Sequence, residues 1–245
     1  MGKLIILSGP SCVGKSPLSR ALGRFYPELK RHLQHIVLFN SRTPRPGEID
    51  GIDYHFRQRK QIAKLDKEEK YIVMDVRGDL QALDLDELKR TLKKGDIFFE
   101  GNPFIGRTLQ TNESLKDVER LSIFMSPLSK EEIVAIKSEK TADLEKILTD
   151  IMRRKLLRRT RKHRGELSLK DLENIERRAG SAFRELQEAH YFDYVIPNHD
   201  GEDSENWDAF YYLIGDARKS LIAFISLLQG NSSVYTEKWD KNLLG

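Results

Sequence analysis

The chain is poor in cysteine: one in 245 residues, Cys12, which excludes an internal disulfide framework and suits a reducing cytoplasm. No apolar run approaches the roughly 18–20 residues that a bilayer-crossing helix needs. The opening "MGKLIILS" is too short and too soon interrupted for a signal peptide, so a cytoplasmic protein with no membrane partner is expected. Internal repeats and low-complexity linkers are lacking too, which excludes a solenoid. The six histidines show no spacing with cysteines or acids that suits a metal site.

What is present reads as a well-solvated globular chain, 39% apolar and 33% charged. The net charge of +4 is concentrated: "RRKLLRRTRKHR" (153–164) holds six arginines and two lysines without one acid. Without those eight charges the rest of the chain stands at 4 − 8 = −4. So local an excess calls for a phosphate-bearing ligand, a nucleic acid or a solvated helix face.

Short apolar runs at 4–8 "LIILS", 36–39 "IVLF", 97–100 "IFFE", 121–125 "LSIFM" and 194–197 "YVIP" predict buried strands. Helix-compatible stretches separate most of them, so an α/β fold with a parallel sheet flanked by helices is expected. "YIVMDV" (71–76) and "YHF" (54–56) predict a small side sheet, and 83–95 a helix that Gly95 ends. Residues 128–190 read as a charged, projecting helical arm. Trp207, Phe210, Ile214, Ala217, Leu221, Phe224 and Leu228 form one apolar stripe, which predicts a long tail helix packed on the core.

Residues 9–16, "GPSCVGKS", fit G-x-x-x-x-G-K-[ST] between a strand and a helical pattern, the context a P-loop requires. Gly9 and Gly14 let the backbone curl, so that the N–H groups of Gly9, Pro10's neighbours Ser11 and Cys12, Val13 and Gly14 can face phosphate. Lys15 is expected to reach the β and γ phosphates of ATP, and Ser16 to help hold Mg²⁺. Pro17 falls in the first helical turn, where no intrahelical bond is lost. Cys12 is expected to serve by its backbone and packing, not as a nucleophile.

The stretch "SRTPRPGEIDGIDYHF" (41–56) sets Arg42 and Arg45 in a loop stiffened by Pro44 and Pro46 and follows them with Tyr54. Guanidinium groups bind phosphate bidentately, and a stiff loop loses little entropy when phosphate docks. Together with the P-loop, this stretch resembles the guanylate kinase family. The resemblance continues through "RKHRGE" (161–166) and "ENIERRAGSAFRELQEAHYFDYVIPN" (173–198). It implies a P-loop kinase core (1–36, 96–127 and 181–200), an acceptor-binding subdomain (37–95) and a helical arm and lid (128–180). A C-terminal helix and tail (201–245) follow.

By the same resemblance Lys15, Arg42, Arg45, Arg164 and Arg178 are the catalytic set, with Arg159 or Arg161 as a further lid arginine. The acceptor side comprises Ser41, Arg42, Arg45, Tyr54, Asp75, Glu100 and Asn102. The implied activity is ATP- and Mg²⁺-dependent phosphoryl transfer to GMP. The stretch that reads the base departs from the family: its glutamate falls on Ile72 or Val73, its tyrosine on Gln81 and its hydroxyl on Leu83. Asp75 or Glu100 is left to accept from a purine N–H. A different phosphorylated acceptor, a non-catalytic phosphopeptide-binding module and nucleic-acid binding through 153–164 are the competing readings. Oligomeric state has no signature in the sequence.

Overall fold

A computed structural model describes residues 1–44 and 47–244, the side chain of His163 excepted. The main sheet is parallel throughout, in the order β2 (Leu33–His35), β7 (Asp96–Gly101), β1 (Leu4–Ser8), β8 (Arg120–Ser126), β9 (Tyr194–Pro197). Side chains alternate across a strand. Ile5 and Leu7 therefore join a core with α1 (Lys15–Phe25) and α10 (Gly215–Leu228) on one face. Leu4 and Ile6 join α5 (Pro103–Thr111) on the other. Burial on both faces is why these strands read as unbroken apolar runs.

The second sheet has the order β4 (His55–Phe56), β3 (Phe39–Asn40), β6 (Asp79–Asp84), β5 (Tyr71–Val76). Val76 pairs with Asp79, so only Arg77 and Gly78 turn the β5–β6 hairpin, and both have positive φ, 59° and 89°. That is the turn whose twist suits a hairpin. Placing an arginine at its first position costs roughly 1–2 kcal/mol against a glycine there. The short α2 (Pro27–Arg31) follows α1, α3 (Arg59–Leu65) covers the small sheet through Ile62, and α4 (Leu85–Leu92) buries Leu85, Leu88 and Leu92.

Four expectations are corrected. The run 36–39 is not a core strand: β2 ends at His35 and the chain there crosses to the second sheet, where Phe39 begins β3. The helix expected over 83–95 spans Leu85–Leu92, because Leu83 and Asp84 belong to β6 and the Asp84 carboxylate caps the N–H groups of Asp86 and Glu87. The tail stripe does not lie on one helix. Phe210 is 62% exposed, while the Trp207 indole donates to the carbonyls of Asp200 and Gly201 at 2.8 and 3.0 Å.

The fourth concerns the arm, built from α6 (Lys130–Ser138), α7 (Leu144–Arg164), α8 (Leu169–Gly180) and α9 (Ala182–Leu186). It does not simply project. Leu148, Met152 and Leu156 of α7 are fully buried in the same core as Phe124 and Leu186. The charged face of α7 is left to meet other partners.

Candidate active site

One cavity, about 190 Å³, lies where the P-loop, the second sheet, the end of β7 and the lid helices converge. On its floor the Lys15 ammonium is buried and donates to the carbonyls of Gly9 and Pro10 at 2.7 and 2.8 Å. Burial lowers its pKa, against the opposing charges of Glu202, Glu100 and Glu185. The Ser16 hydroxyl donates to Glu100 at 2.6 Å. Cys12, with φ 66°, is buried and its thiol is pushed up to about 12, chiefly by burial, so it has no nucleophilic thiolate at neutral pH.

Gly14 has φ 107°, and a Cβ there would stand 2.5 Å from the Asn198 amide. The loop after β9 presses on the cradle at this point. Val13 precedes the N-cap Gly14, so its carbonyl has no donor within α1, whose ladder starts with Gly14 accepting from Leu18 at 3.0 Å. The fully buried Asn198 supplies one at 2.7 Å.

On the opposite wall Arg42 grips Glu48 through two hydrogen bonds of 2.6 Å each. Its guanidinium also stands 5.1 Å from the Tyr54 ring centroid and 5.3 Å from that of Phe56. Burial opposes the charged form, but the hydrogen bond and charge of Glu48 outweigh it and hold the Arg42 pKa above its usual value. Both Arg42 and Tyr54 line the cavity, as do Glu100 and Asn102. Arg45 lies outside the described residues.

Two assignments on this side are corrected. Asp75 does not line the cavity: its carboxylate holds Arg59 at 2.8 Å and caps the N–H of Gly78 at 2.6 Å, so it serves the hairpin turn. Ser41 is likewise structural, exchanging bonds with Leu80 through its N–H and its hydroxyl. Asn40, Asp79 and Gln81 line the wall instead. The Asn40 and Asn102 side-chain oxygens accept from backbone N–H groups, of Arg42 at 3.1 Å and Phe104 at 2.9 Å. Those bonds settle which way each amide points. Their NH₂ groups are buried and have no partner among the described residues.

The lid contributes Asn174, Arg177 and Arg178 from α8 and Arg159 from α7. Arg178 donates to Ser11 at 3.0 Å. Of the two neighbours of Thr160, Arg159 lines the cavity and Arg161 does not. Arg164 is corrected as well: it lies at the end of α7, away from the cavity, paired with Asp171 at 2.7 Å.

The basic run meets an acidic loop after β9 that pattern reading passed over. Lys155 and Arg158 lie within 4 Å of Asp203, Arg159 holds Glu202 at 2.7 Å, and Lys162 is 3.6 Å from Asp208. Much of the excess charge is thus paired with acids within the chain. Glu202 itself lines the cavity, and its own N–H donates to the Cys12 carbonyl at 3.2 Å. Burial raises its pKa, but Arg159, Lys15 and Arg178 overcome this and hold it below its usual value.

His199 ties the same loop to α6 and α10: its ring nitrogens stand 2.9 Å from the Glu132 carboxylate and 2.5 Å from that of Asp216, both of which are acceptors. Burial alone would lower its pKa; the bonds and charges of Asp216 and Glu132 raise it instead. The two carboxylates are held low, burial opposing and hydrogen bonds prevailing. A raised base stabilises fully below its unfolded pKa and loses that contribution as pH rises through its folded pKa. For the lowered acids the loss comes as pH falls through their folded pKa. The contribution of this cluster to the thermal midpoint should therefore be largest between about pH 5 and 6.5 and decline above it. Melts of His199→Gln should lack the part of that alkaline decline due to this cluster.

Comparison with known proteins matches this geometry to one family. A family model described as guanylate kinase matches residues 1–156. Guanylate kinase of Cereibacter sphaeroides is 32% identical over 155 residues, covering 62% of this chain and 71% of its own length. That of Bacillus cereus is 31% identical over 134 residues, 54% of this chain, and the match spans only 62% of that relative. The crystal structure of guanylate kinase from Anaplasma phagocytophilum superposes with a TM-score of 0.54 at 18% identity, covering 94% of this chain and 85% of that one; the likeness is one of fold. With its P-loop, two sheets and lid arranged around one cavity, and a family match over well over half its length, the chain belongs to the guanylate kinase family.

Proposed function

We propose that the chain is a nucleoside monophosphate kinase that transfers the γ-phosphoryl group of ATP to GMP. The observation that carries this reading is the convergence of Lys15 and Ser16 with Arg42 and Tyr54 on one cavity, so that donor and acceptor phosphates would meet there. An acceptor phosphate oxygen attacks the γ-phosphorus, the bond to the β-bridging oxygen breaks, and ADP leaves as the acceptor becomes a diphosphate. The residues align and neutralise; no covalent enzyme intermediate is needed.

Each cation already holds an oxygen that a phosphate would replace. Lys15 exchanges the Gly9 and Pro10 carbonyls for donor phosphate, and Arg42 exchanges Glu48 for acceptor phosphate. Arg159 and Arg178 close over the group in transfer, with Glu202 yielding to it. The adjacent Ser16 hydroxyl and Glu100 carboxylate are hard oxygen donors that fit Mg²⁺, which commonly takes only one or two protein oxygens beside substrate phosphates. When bound, Mg²⁺ supplies charge neutralisation at the phosphate oxygens. The NH₂ groups of Asn40 and Asn102, without a partner among the described residues, suit hydrogen-bond acceptors, such as guanine O6 and N7.

The test is ADP release with ATP and Mg²⁺ against GMP, dGMP, AMP, UMP, CMP and ribose phosphates. GMP is expected to turn over fastest; ATP binding without turnover of any acceptor would overturn the reading. In Arg42→Lys, loss of a charge-assisted hydrogen bond, about 1.5–3 kcal/mol, should raise the acceptor KM roughly 10- to 100-fold and leave the ATP KM near wild type.

A further inference from the structure

The tip of the second sheet carries an arginine that neither the P-loop nor the 41–56 stretch accounts for. Arg77 lines the cavity, although its turn position would be easier for glycine or asparagine. Its Nε donates to Ser181 at 3.0 Å and to Glu185 at 2.6 Å, and its Nη2 lies 2.5 Å from the same Glu185 oxygen. Glu185 is fully buried, and Ser181 donates to it at 2.8 Å. A buried carboxylate that engages one edge of a guanidinium leaves the other edge aimed, because the group is a rigid plane.

Lys15, Arg159 and Arg178 line the same cavity. The Ser181 hydroxyl also lies 3.0 Å from the Arg178 carbonyl, a competing acceptor for its one proton, and the Arg178 side chain reaches Ser11 of the P-loop. Arg77 is thus linked through one serine to the helix junction that carries the lid arginines. Its charge is felt at Lys15, where it adds to the lowering of the ammonium pKa. Arg77 stands on the second sheet and Glu185 on α9, so the pair bridges the two across the cavity.

Resting on the kinase reading above, we propose that Arg77, oriented by Glu185 and Ser181, is a further catalytic arginine that contacts the phosphoryl group in transfer. Arg77 acts on the substrate; Glu185 and Ser181 are positioning residues. A guanidinium placed on developing phosphoryl charge stabilises the transition state beyond the ground state.

The experiment compares wild type, Arg77→Ala, Arg77→Lys and Glu185→Gln in steady-state turnover of ATP with GMP, at temperatures well below each measured melting midpoint. Affinity for ADP alone and for ADP, GMP and aluminium fluoride together is measured in parallel. Arg77→Ala should lower kcat by about 10²–10³, with both KM values within threefold. Affinity for the aluminium fluoride complex should fall by a similar factor while that for ADP is unchanged. Arg77→Lys and Glu185→Gln should fall between, Lys keeping the charge without the fork and Gln keeping the hydrogen bond without the anchoring charge. Should Arg77→Ala not fold, Arg77→Lys carries the same test. Variants that melt earlier but keep kcat and aluminium fluoride affinity within threefold would overturn the proposal and leave the Arg77–Glu185 pair a structural latch. Absence of turnover in wild type would instead overturn the kinase reading, and this role with it.

Discussion

Lys15→Met is expected to reduce ATP-dependent phosphoryl transfer by on the order of 10³, the upper end of what one electrostatic donor at a reacting centre supplies. The ammonium is enclosed by the cradle and held ready on two loop carbonyls. Burial disfavours its charge and lowers its pKa, and three carboxylates nearby oppose that shift. Methionine fills the stem but offers the β and γ oxygens nothing. Donor binding should weaken less than turnover, because the loop N–H groups and the α1 N-terminus remain. Steady-state kinetics and ADP titration separate the two, and circular dichroism checks the fold. Equal losses in ADP binding and in turnover would mean that Lys15 serves uniform binding only.

The second large effect is structural. Asn198→Ala should destabilise the protein by about 2–4 kcal/mol, from one orphaned buried carbonyl plus a lost hydrogen bond. The carbonyl is that of Val13, which has no donor within α1 and which the Asn198 amide reaches from the far end of the chain. The same amide donates to Asp200 at 2.7 Å, whose carbonyl keeps the Trp207 indole as a second partner. For a chain of this size the midpoint should fall by roughly 6–12 °C. ATP affinity should fall with it, since the unsupported bond lies in the P-loop. Thermal melts with and without ADP read both; a midpoint within 2 °C of wild type, taken as about 1 kcal/mol or less, would sink the argument.

Elements stabilised by near neighbours were legible. The P-loop needs a strand, two glycines, Lys15 and Ser16 in one contiguous run, and Leu4–Ser8 and Lys15–Phe25 stand where that pattern requires. Runs such as 97–100 and 121–125 are buried strands because parallel sheets covered on both faces demand unbroken apolar sequence. The 36–39 run misled because its period suits either sheet, and only the crossover decides between them. The tail stripe misled for a related reason: Trp207 has the right spacing but is bound to the Asp200–Gly201 turn.

The sequence by itself determined the donor cradle, the presence of Arg42 and Tyr54, the α/β class and the departure from the family at Ile72 and Leu83. The tertiary structure alone decided which groups stand in the cavity. It took Asp75, Ser41 and Arg164 into local bonds, chose Arg159, and brought in Asn40, Arg77, Asp79 and Glu202. The reason lies in the range of the interactions. A cradle or a strand is written in residues a few positions apart, whereas Arg77 meets Glu185 across 108 positions and Asn198 meets Val13 across 185. Pairings at that distance have no local period, and only the packing of the two sheets and the lid brings them within hydrogen-bond reach.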